Sequence, residues 1–350
     1  MEMVQRELNK YVYPILFLVF MSICFGLGYS TLVRFDPTQS IGLNDTIDYL
    51  NIVENGLNNI ELDQSGRSTR ILVPYLAHIF YLILPQLGSW NMITFSMLIV
   101  CAAFTSFNAL IIFNLTLNIL SNSRIGLLAS FLFLTSFEVS NTFLISYVDS
   151  AYTFWLSCLV FLLYYQKLYW LPLIAILASM TKETFLPVGS SFLLGWLMYE
   201  YLYGKGFDKN KLFIVLITIL FSLVTLFTID MLMLGDIYYP WEKMAALKAE
   251  PTSYNKVDLF FHKIIRFLMV LGALVILAIP YLRKLPSIIL FATLISCIAV
   301  IFLGSWSGIG GAGFARGIFS ASSFVLCSSA AHFLYSLINN LHLKENEFRV

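Results

Sequence analysis

Charge is what this chain has least of. Asp, Glu, Lys and Arg make up 12% of its 350 residues, against roughly 25% in a soluble globular domain. So little charge excludes an ordinary water-exposed fold for most of the chain. The charges also nearly cancel, leaving a formal net of +1, so no basic field points to nucleic acid. Histidine is scarcer still: His78, His262, His332 and His342 are scattered and form no HExxH or HxxxH pair. The helical zinc motif, which needs two imidazoles on one face, is therefore missing. The five cysteines, Cys24, Cys101, Cys158, Cys297 and Cys327, all lie in apolar stretches without C-x-x-C spacing. That excludes a thiol redox motif or zinc ribbon and leaves them as small core or lipid-facing residues. Low-complexity linkers and clear internal repeats are lacking as well. The first apolar run reads as uncleaved, being too long for a signal peptide and without a small-residue cleavage site.

What is abundant is apolar sequence: 59% of the residues are hydrophobic and the mean hydropathy is +0.81. A bilayer-spanning helix needs about 20 mostly apolar residues. The chain is accordingly expected to be all-α, a polytopic transmembrane helical bundle forming a single membrane domain over 1–350. The expected spans are 12–33, 90–118, 125–142, 151–165, 170–181, 184–203, 212–234, 262–281, 287–304 and 314–337, ten in all. Ten spans put both termini on one side. With the N-terminus inside, the inside segments total 48 residues and carry eleven Lys and Arg, whereas the outside segments total 105 residues and carry eight. That density contrast favours N-in, C-in. The stretch 71–87 is apolar enough to cross, but an eleventh span would put the basic turns Lys205–Lys211 and Arg283–Lys284 outside. It is expected instead as an interfacial helix in a long first outer loop, 34–89, broken by Pro74 and Pro85. Segment 170–181 is short for a span, and is expected to be tilted or one arm of a re-entrant pair.

Under this topology the unusual polar residues gather on the outer side. Asp45 and Asp48 lie in loop 34–89 with Arg67 and Arg70. Asp149 sits between two spans, Lys182 and Glu183 at a hairpin tip, and Arg316 where the last span begins. Charges at membrane depth are expensive and tend to face a cavity or one another. Each residue also has a plain structural role open to it. Asp45, Asp48 and Asp149 suit helix caps or loop solvation, and Lys182-Glu183 suits a mutually paired turn. Arg316 suits snorkelling to headgroups, and Arg70 an interfacial anchor. Tyr238, Tyr239 and Trp241 suit an aromatic belt. Together, acids and bases reaching one face from four separate loops suit an anionic lipid phosphate held beside a carboxylate. Arg grips phosphate in a fork and Lys acts as a point charge.

The order of these elements resembles the GT-C superfamily, integral membrane glycosyltransferases that use polyprenyl-phosphate-linked sugars, and within it the bacterial relatives of the dolichyl-phosphate-mannose mannosyltransferases. The resemblance rests on Asn44-Asp45-Thr46-Ile47-Asp48-Tyr49 in the first outer loop, then Arg70-Ile71-Leu72-Val73-Pro74-Tyr75-Leu76-Ala77. Asp149 at the start of a helix, Lys182-Glu183 at the end of a short span and the late Arg316 follow in order. It covers most of 12–200 and thins from 205 to 350. It implies a catalytic module over 12–204 and variable C-terminal helices over 205–350. Two departures stand out: no large soluble C-terminal domain, and Lys-Glu where relatives often carry Lys-Gly, which leaves the donor subtype open.

The resemblance implies inverting transfer of a sugar to an acceptor hydroxyl on a glycan, lipid or protein, at the periplasmic face of a bacterial inner membrane. It implies Asp45 as general base with Asp48 as the alternative, and Asp149 as a catalytic partner that orients the acceptor or pairs with a base. Lys182, Arg316 and Arg70 would bind the donor phosphate, supported by Tyr49 and Glu183. A divalent cation, Mg or Mn, at Asp45, Asp149 and Glu183 is an open option, since hard cations favour carboxylates. Three other classes stay open: a transporter or flippase of lipid-linked sugars, a polymerase or ligase of another membrane fold, and a non-catalytic membrane partner.

Overall fold

A computed structural model describes residues 2–34, 44–57, 69–87, 91–145, 147–204, 206, 208–235, 237, 265, 267–306 and 311–347. The protein is all-helical, and four described helices are long and apolar enough to cross a membrane: Tyr11–Ser30, Met92–Leu120, Lys209–Leu234 and Ala315–Asn340. Five shorter apolar helices accompany them. In chain order the helices are α1 (Glu2–Arg34), α2 (Asn44–Asn55), α3 (Leu72–Ile83), α4 (Met92–Leu120), α5 (Ser123–Leu134) and α6 (Asp149–Tyr164). Then come α7 (Leu171–Thr181), α8 (Phe185–Tyr203), α9 (Lys209–Leu234), α10 (Ala273–Ala278), α11 (Ser287–Trp306) and α12 (Gly311–Glu347). Every apolar stretch expected from the sequence contains helix.

Local signals set the ends. Asn91 caps α4, its side chain accepting from the amides of Ile93 at 3.0 Å and Thr94 at 3.2 Å. Asn122 and Asp208 do the same for α5 and α9, satisfying amides that a helix start leaves without partners. Ser121 takes the left-handed conformation, φ 52°, and reverses the chain between α4 and α5. Those two helices then approach closely at Gly126, where a Cβ would stand 3.1 Å from the Phe113 carbonyl oxygen.

The interior belongs to α4 and α12. More than half of their apolar windows are buried, 61% and 56%, against 17% for α1 and 28% for α9, which lie at the periphery. Helix α12 packs on α5, α6, α10 and α11 and is rich in small residues, which let backbones come close. Ser320 accepts from Thr153 at 2.8 Å and Ser328 pairs with Thr116 at 2.6 Å. Phe319 fills the remaining space against Phe133 and Phe143.

Two features position the site. First, α2 and α3 form a small lid with its own apolar core: Tyr49, Leu50, Val53, Val73 and Ala77 pack on Met97, Val100, Cys101, Val148 and Ala151. Helix α3 has 12 residues, about 18 Å, well short of the roughly 30 Å hydrocarbon core. Second, α5 stops at Leu134 where the sequence leads one to expect helix to 142. Thr135 donates to the Phe131 carbonyl at 2.8 Å, Asn141 to Phe137 at 2.9 Å and Ser140 to Ser136 at 3.2 Å. Such side-chain bonds to the main chain compete with the helical ladder, and the chain passes through a short π-helical turn, Val139–Phe143, before α6.

Candidate functional site: a buried ion-pair network

At one end of α6, side chains from five separate parts of the fold meet. Asp149 is the first residue of α6 and is 2% exposed. Lys182 ends α7 in an extended conformation, φ −160° and ψ 127°, which turns its side chain towards α6. Its Nζ donates to Asp149 Oδ1 at 2.6 Å. From the start of α12, Arg316 Nη1 lies 3.3 Å from Asp149 Oδ2. Both cations also rest near aromatic faces, Lys182 at 5.2 Å from the Tyr152 ring and Arg316 at 5.3 Å from the Tyr147 ring. Burial works against a charge on Asp149, but Arg316 and Lys182 outweigh it and hold the carboxyl well below the usual carboxylate range.

A second pair adjoins the first. Arg70, just before α3, forks onto Glu183, with Nε to Oε2 at 2.9 Å and Nη2 to Oε1 at 2.6 Å. Its Nη1 donates to the hydroxyl of fully buried Tyr49 at 2.8 Å. This bidentate geometry overrides the effect of burial and keeps the Glu183 carboxyl down at about 2. Because Lys182 and Glu183 are consecutive, one turn of chain joins the two pairs. Across Arg70, Lys182, Arg316, Asp149 and Glu183 the formal charge is +1. Side chains of the three cations are 15%, 14% and 22% exposed. An ammonium carries three donors, and one of those on Lys182 goes to Asp149.

These contacts revise several plain readings. Lys182 and Glu183 do not pair with each other: Lys182 takes Asp149 and Glu183 takes Arg70. Asp149 is the first helical residue of α6, with Val148 at the cap position, and its carboxylate serves the cations. Arg316 engages a carboxylate and Arg70 ties the lid to the α7–α8 turn. Asp48 is half-buried on α2, one residue ahead of Tyr49. Position 45 lies one helical turn ahead of Tyr49 on α2, and the Asp45 side chain lies outside the described residues, as do Arg67, Tyr238, Tyr239 and Trp241.

Of the donors offered for a divalent cation, Asp149 has both oxygens facing cations and Glu183 has both on Arg70, and the Asp45 side chain lies outside the described residues. Among the described residues no group of three His, Cys, Asp or Glu gathers. A cavity of about 140 Å³ lies elsewhere, lined by Val160, Leu163, Phe192, Trp196 and Ile289. It flanks the far end of α6, about 20 Å along the helix from Asp149, and is apolar.

One acid escaped the sequence reading. Glu138, in the break after α5, is 3% exposed and lies within the fields of Arg316, Asp149 and Lys182. Its signal was available: a lone carboxyl inside an apolar run is a functional candidate by default. Comparison of the chain with protein-family models, with curated proteins and with solved structures found no match.

Proposed function

We propose that this protein is a membrane glycosyltransferase of the GT-C type, with about ten crossings and both termini inside. It moves a sugar from a polyprenyl-phosphate donor to an acceptor hydroxyl on the outer face, with inversion. The observation that carries this reading is the meeting of Lys182 and Arg316 on Asp149, beside the Arg70–Glu183–Tyr49 cluster and under the helix that bears position 45. A cluster with one excess positive charge, its cations only partly exposed and built on helix ends, suits a phosphate that gains negative charge as it leaves.

In this mechanism Asp45 takes the proton of the acceptor hydroxyl, whose oxygen then attacks the anomeric carbon. The bond from that carbon to the phosphate oxygen breaks, and the lipid phosphate departs as an anion. It is a good leaving group and needs no strong acid. Preorganised cations aimed at the developing charge supply the main stabilisation, here Lys182, Arg316 and Arg70. Asp149 acts by fixing the direction of the Lys182 ammonium, and Glu183 and Tyr49 do the same for Arg70. No step runs through a metal.

The test is transfer from a defined polyprenyl-phosphate sugar in proteoliposomes. Loss of a positioned general base typically lowers rate 10²–10⁴-fold, to order of magnitude, and Asp45→Asn is expected to fall in that range. Undiminished transfer by Asp45→Asn rules out the base role.

A flippase for the same lipid is the second reading. It draws support from the interrupted helices at Val139–Phe143 and Leu268–Gly272, since transporters use broken helices near their sites. Acceptor-independent movement of lipid-linked sugar across sealed vesicles, without transfer, identifies that class.

A further inference from the structure

We propose that the apolar cavity at the far end of α6, with the basic turns that border it, binds an anionic phospholipid, a stretch of acyl chain in the cavity and the phosphate at its rim. The site lies at the opposite end of α6 from the ion-pair cluster. It requires the chain to sit in a bilayer and does not depend on the transferase reading.

The cavity supplies the half that takes the tail. It measures about 140 Å³ and sits where α6, α8 and the start of α11 meet. Val160, Leu163, Phe192, Trp196 and Ile289 form its walls, and all five are buried. An apolar cavity of about 150 Å³ stays dry and holds one benzene ring, so this one has room for about six carbons of a chain. Gln166, at its mouth, donates to the Leu163 carbonyl at 2.9 Å. The depth also fits a lipid. Around this end of the bundle Tyr169, Trp170, Tyr201 and Tyr203 are exposed, and such amphipathic aromatics mark the headgroup level of a membrane. Trp196 stands two turns of α8 before Tyr203, about 10 Å, which puts the cavity where acyl chains begin.

Charge selects the headgroup. Both segments that form the mouth run directly into exposed cations: Gln166 is followed by Lys167, and Pro286 is preceded by Arg283 and Lys284. A further cation, Lys211, lies 5.1 Å from the Trp196 ring. Its Nζ donates to both oxygens of Glu200, at 2.7 and 2.8 Å, so the acid on this wall is already matched. Residues 150–181 and 259–344 contain no acid, which leaves Lys167, Arg283 and Lys284 for a phosphate. Arg grips it in a fork and Lys acts as a point charge. Basic pockets between membrane helices take anionic headgroups in this way. A zwitterionic lipid brings no net charge to these cations, and a free anion has no use for the cavity; an anionic phospholipid answers both halves of the site.

The test is tryptophan fluorescence of the purified full chain in phosphatidylcholine bilayers. Bromine on an acyl chain quenches an indole only at close range. Brominated phosphatidylglycerol, which is anionic, is titrated in as a minor component, with brominated phosphatidylcholine in a parallel series. A basic residue near the membrane surface favours an anionic lipid by about fivefold. Wild type should therefore reach half of its quenching at a mole fraction of the anionic lipid about fivefold lower, or more, than of the zwitterionic one. Trp196→Phe should lose that difference, and Lys284→Gln should narrow it by about fivefold. Lys284 is exposed, so its variant serves if Trp196→Phe folds poorly. Equal quenching by the two lipids in wild type overturns the proposal. So does a difference that survives intact in Trp196→Phe, or one that Lys284→Gln leaves unmoved. The reading of the ion-pair cluster stands in each of these cases.

Discussion

Replacing Asp149 by Asn probes the network at its centre. The carboxylate is 2% exposed and joins Lys182 at 2.6 Å and Arg316 at 3.3 Å. At an effective dielectric of about 20 each contact is worth roughly 5–6 kcal/mol of gross Coulomb attraction. Desolvating three ions takes back several kcal/mol apiece, so the net effect is far below the gross sum. Removing the shared anion leaves two part-buried cations repelling each other, and breaking a buried pair this way costs about 3–5 kcal/mol. Lys182→Met removes one of those cations, so its effect is the smaller of the two. In the double variant the introduced amide no longer faces an ammonium, and the total loss should fall short of the sum of the single losses by about 2–3 kcal/mol, within the coupling range for groups in contact. The assay is a double-mutant cycle on purified protein, by reversible denaturation in mixed micelles. Single losses that add within about 0.5 kcal/mol, the figure for independent sites, would refute the reasoning that Asp149 and Lys182 act as one unit.

Other expectations follow from the same contacts. Arg70→Met removes the fork onto Glu183 and the bond to Tyr49, and should loosen the α2–α3 lid. Limited proteolysis should then cut within 44–83 at least tenfold faster than in wild type, while α4 stays protected. The Glu183 carboxyl is depressed to about 2, so the stability it contributes is complete above its unfolded value of about 4.3 and is lost as pH falls towards 2. Acidification from pH 5 to pH 2 should therefore release the lid, and Arg70→Met should show much less of this acid sensitivity, read by hydrogen exchange at 49–55 and 72–80. Gly126→Val sets side-chain atoms against the Phe113 backbone, 3.1 Å from the nearest Cβ position. It should destabilise the α4–α5 hairpin by about 1–3 kcal/mol, the usual range for overpacking; a neutral effect in thermal unfolding counts against the close approach.

Much of the site was legible in the sequence because charge is so rare here. In a chain with so few ionisable groups, Asp149, Lys182, Glu183, Arg70 and Arg316 stand out without any knowledge of their neighbours. Helix positions were legible for a related reason: long apolar runs leave few alternatives. The pairings were not legible. Lys182 finds Asp149 across 33 residues and Arg70 finds Glu183 across 113, and local spacing suggested Lys182 with Glu183 instead. Glu138 was hidden by hydropathy, since the run 125–142 reads as one uninterrupted span. The break at Thr135-Ser136 comes from hydroxyl and amide side chains bonding the main chain, which a hydropathy pattern does not register. The lid was half legible: Pro74 and the short apolar stretch suggested an interfacial helix. Its docking on α4 through Tyr49, Val53 and Ala77 is a property of the assembled fold.

The most direct test of the central claim, that this cluster consumes a lipid-phosphate sugar, is mass spectrometry of lipid-linked intermediates in cells lacking the protein. The account predicts that a polyprenyl-phosphate sugar accumulates. Wild type should clear it, whereas Asp45→Asn and Lys182→Met, present at equal levels in the membrane, should not. An unchanged lipid-linked pool in the deletion, or clearance by Lys182→Met at the wild-type rate, would contradict it.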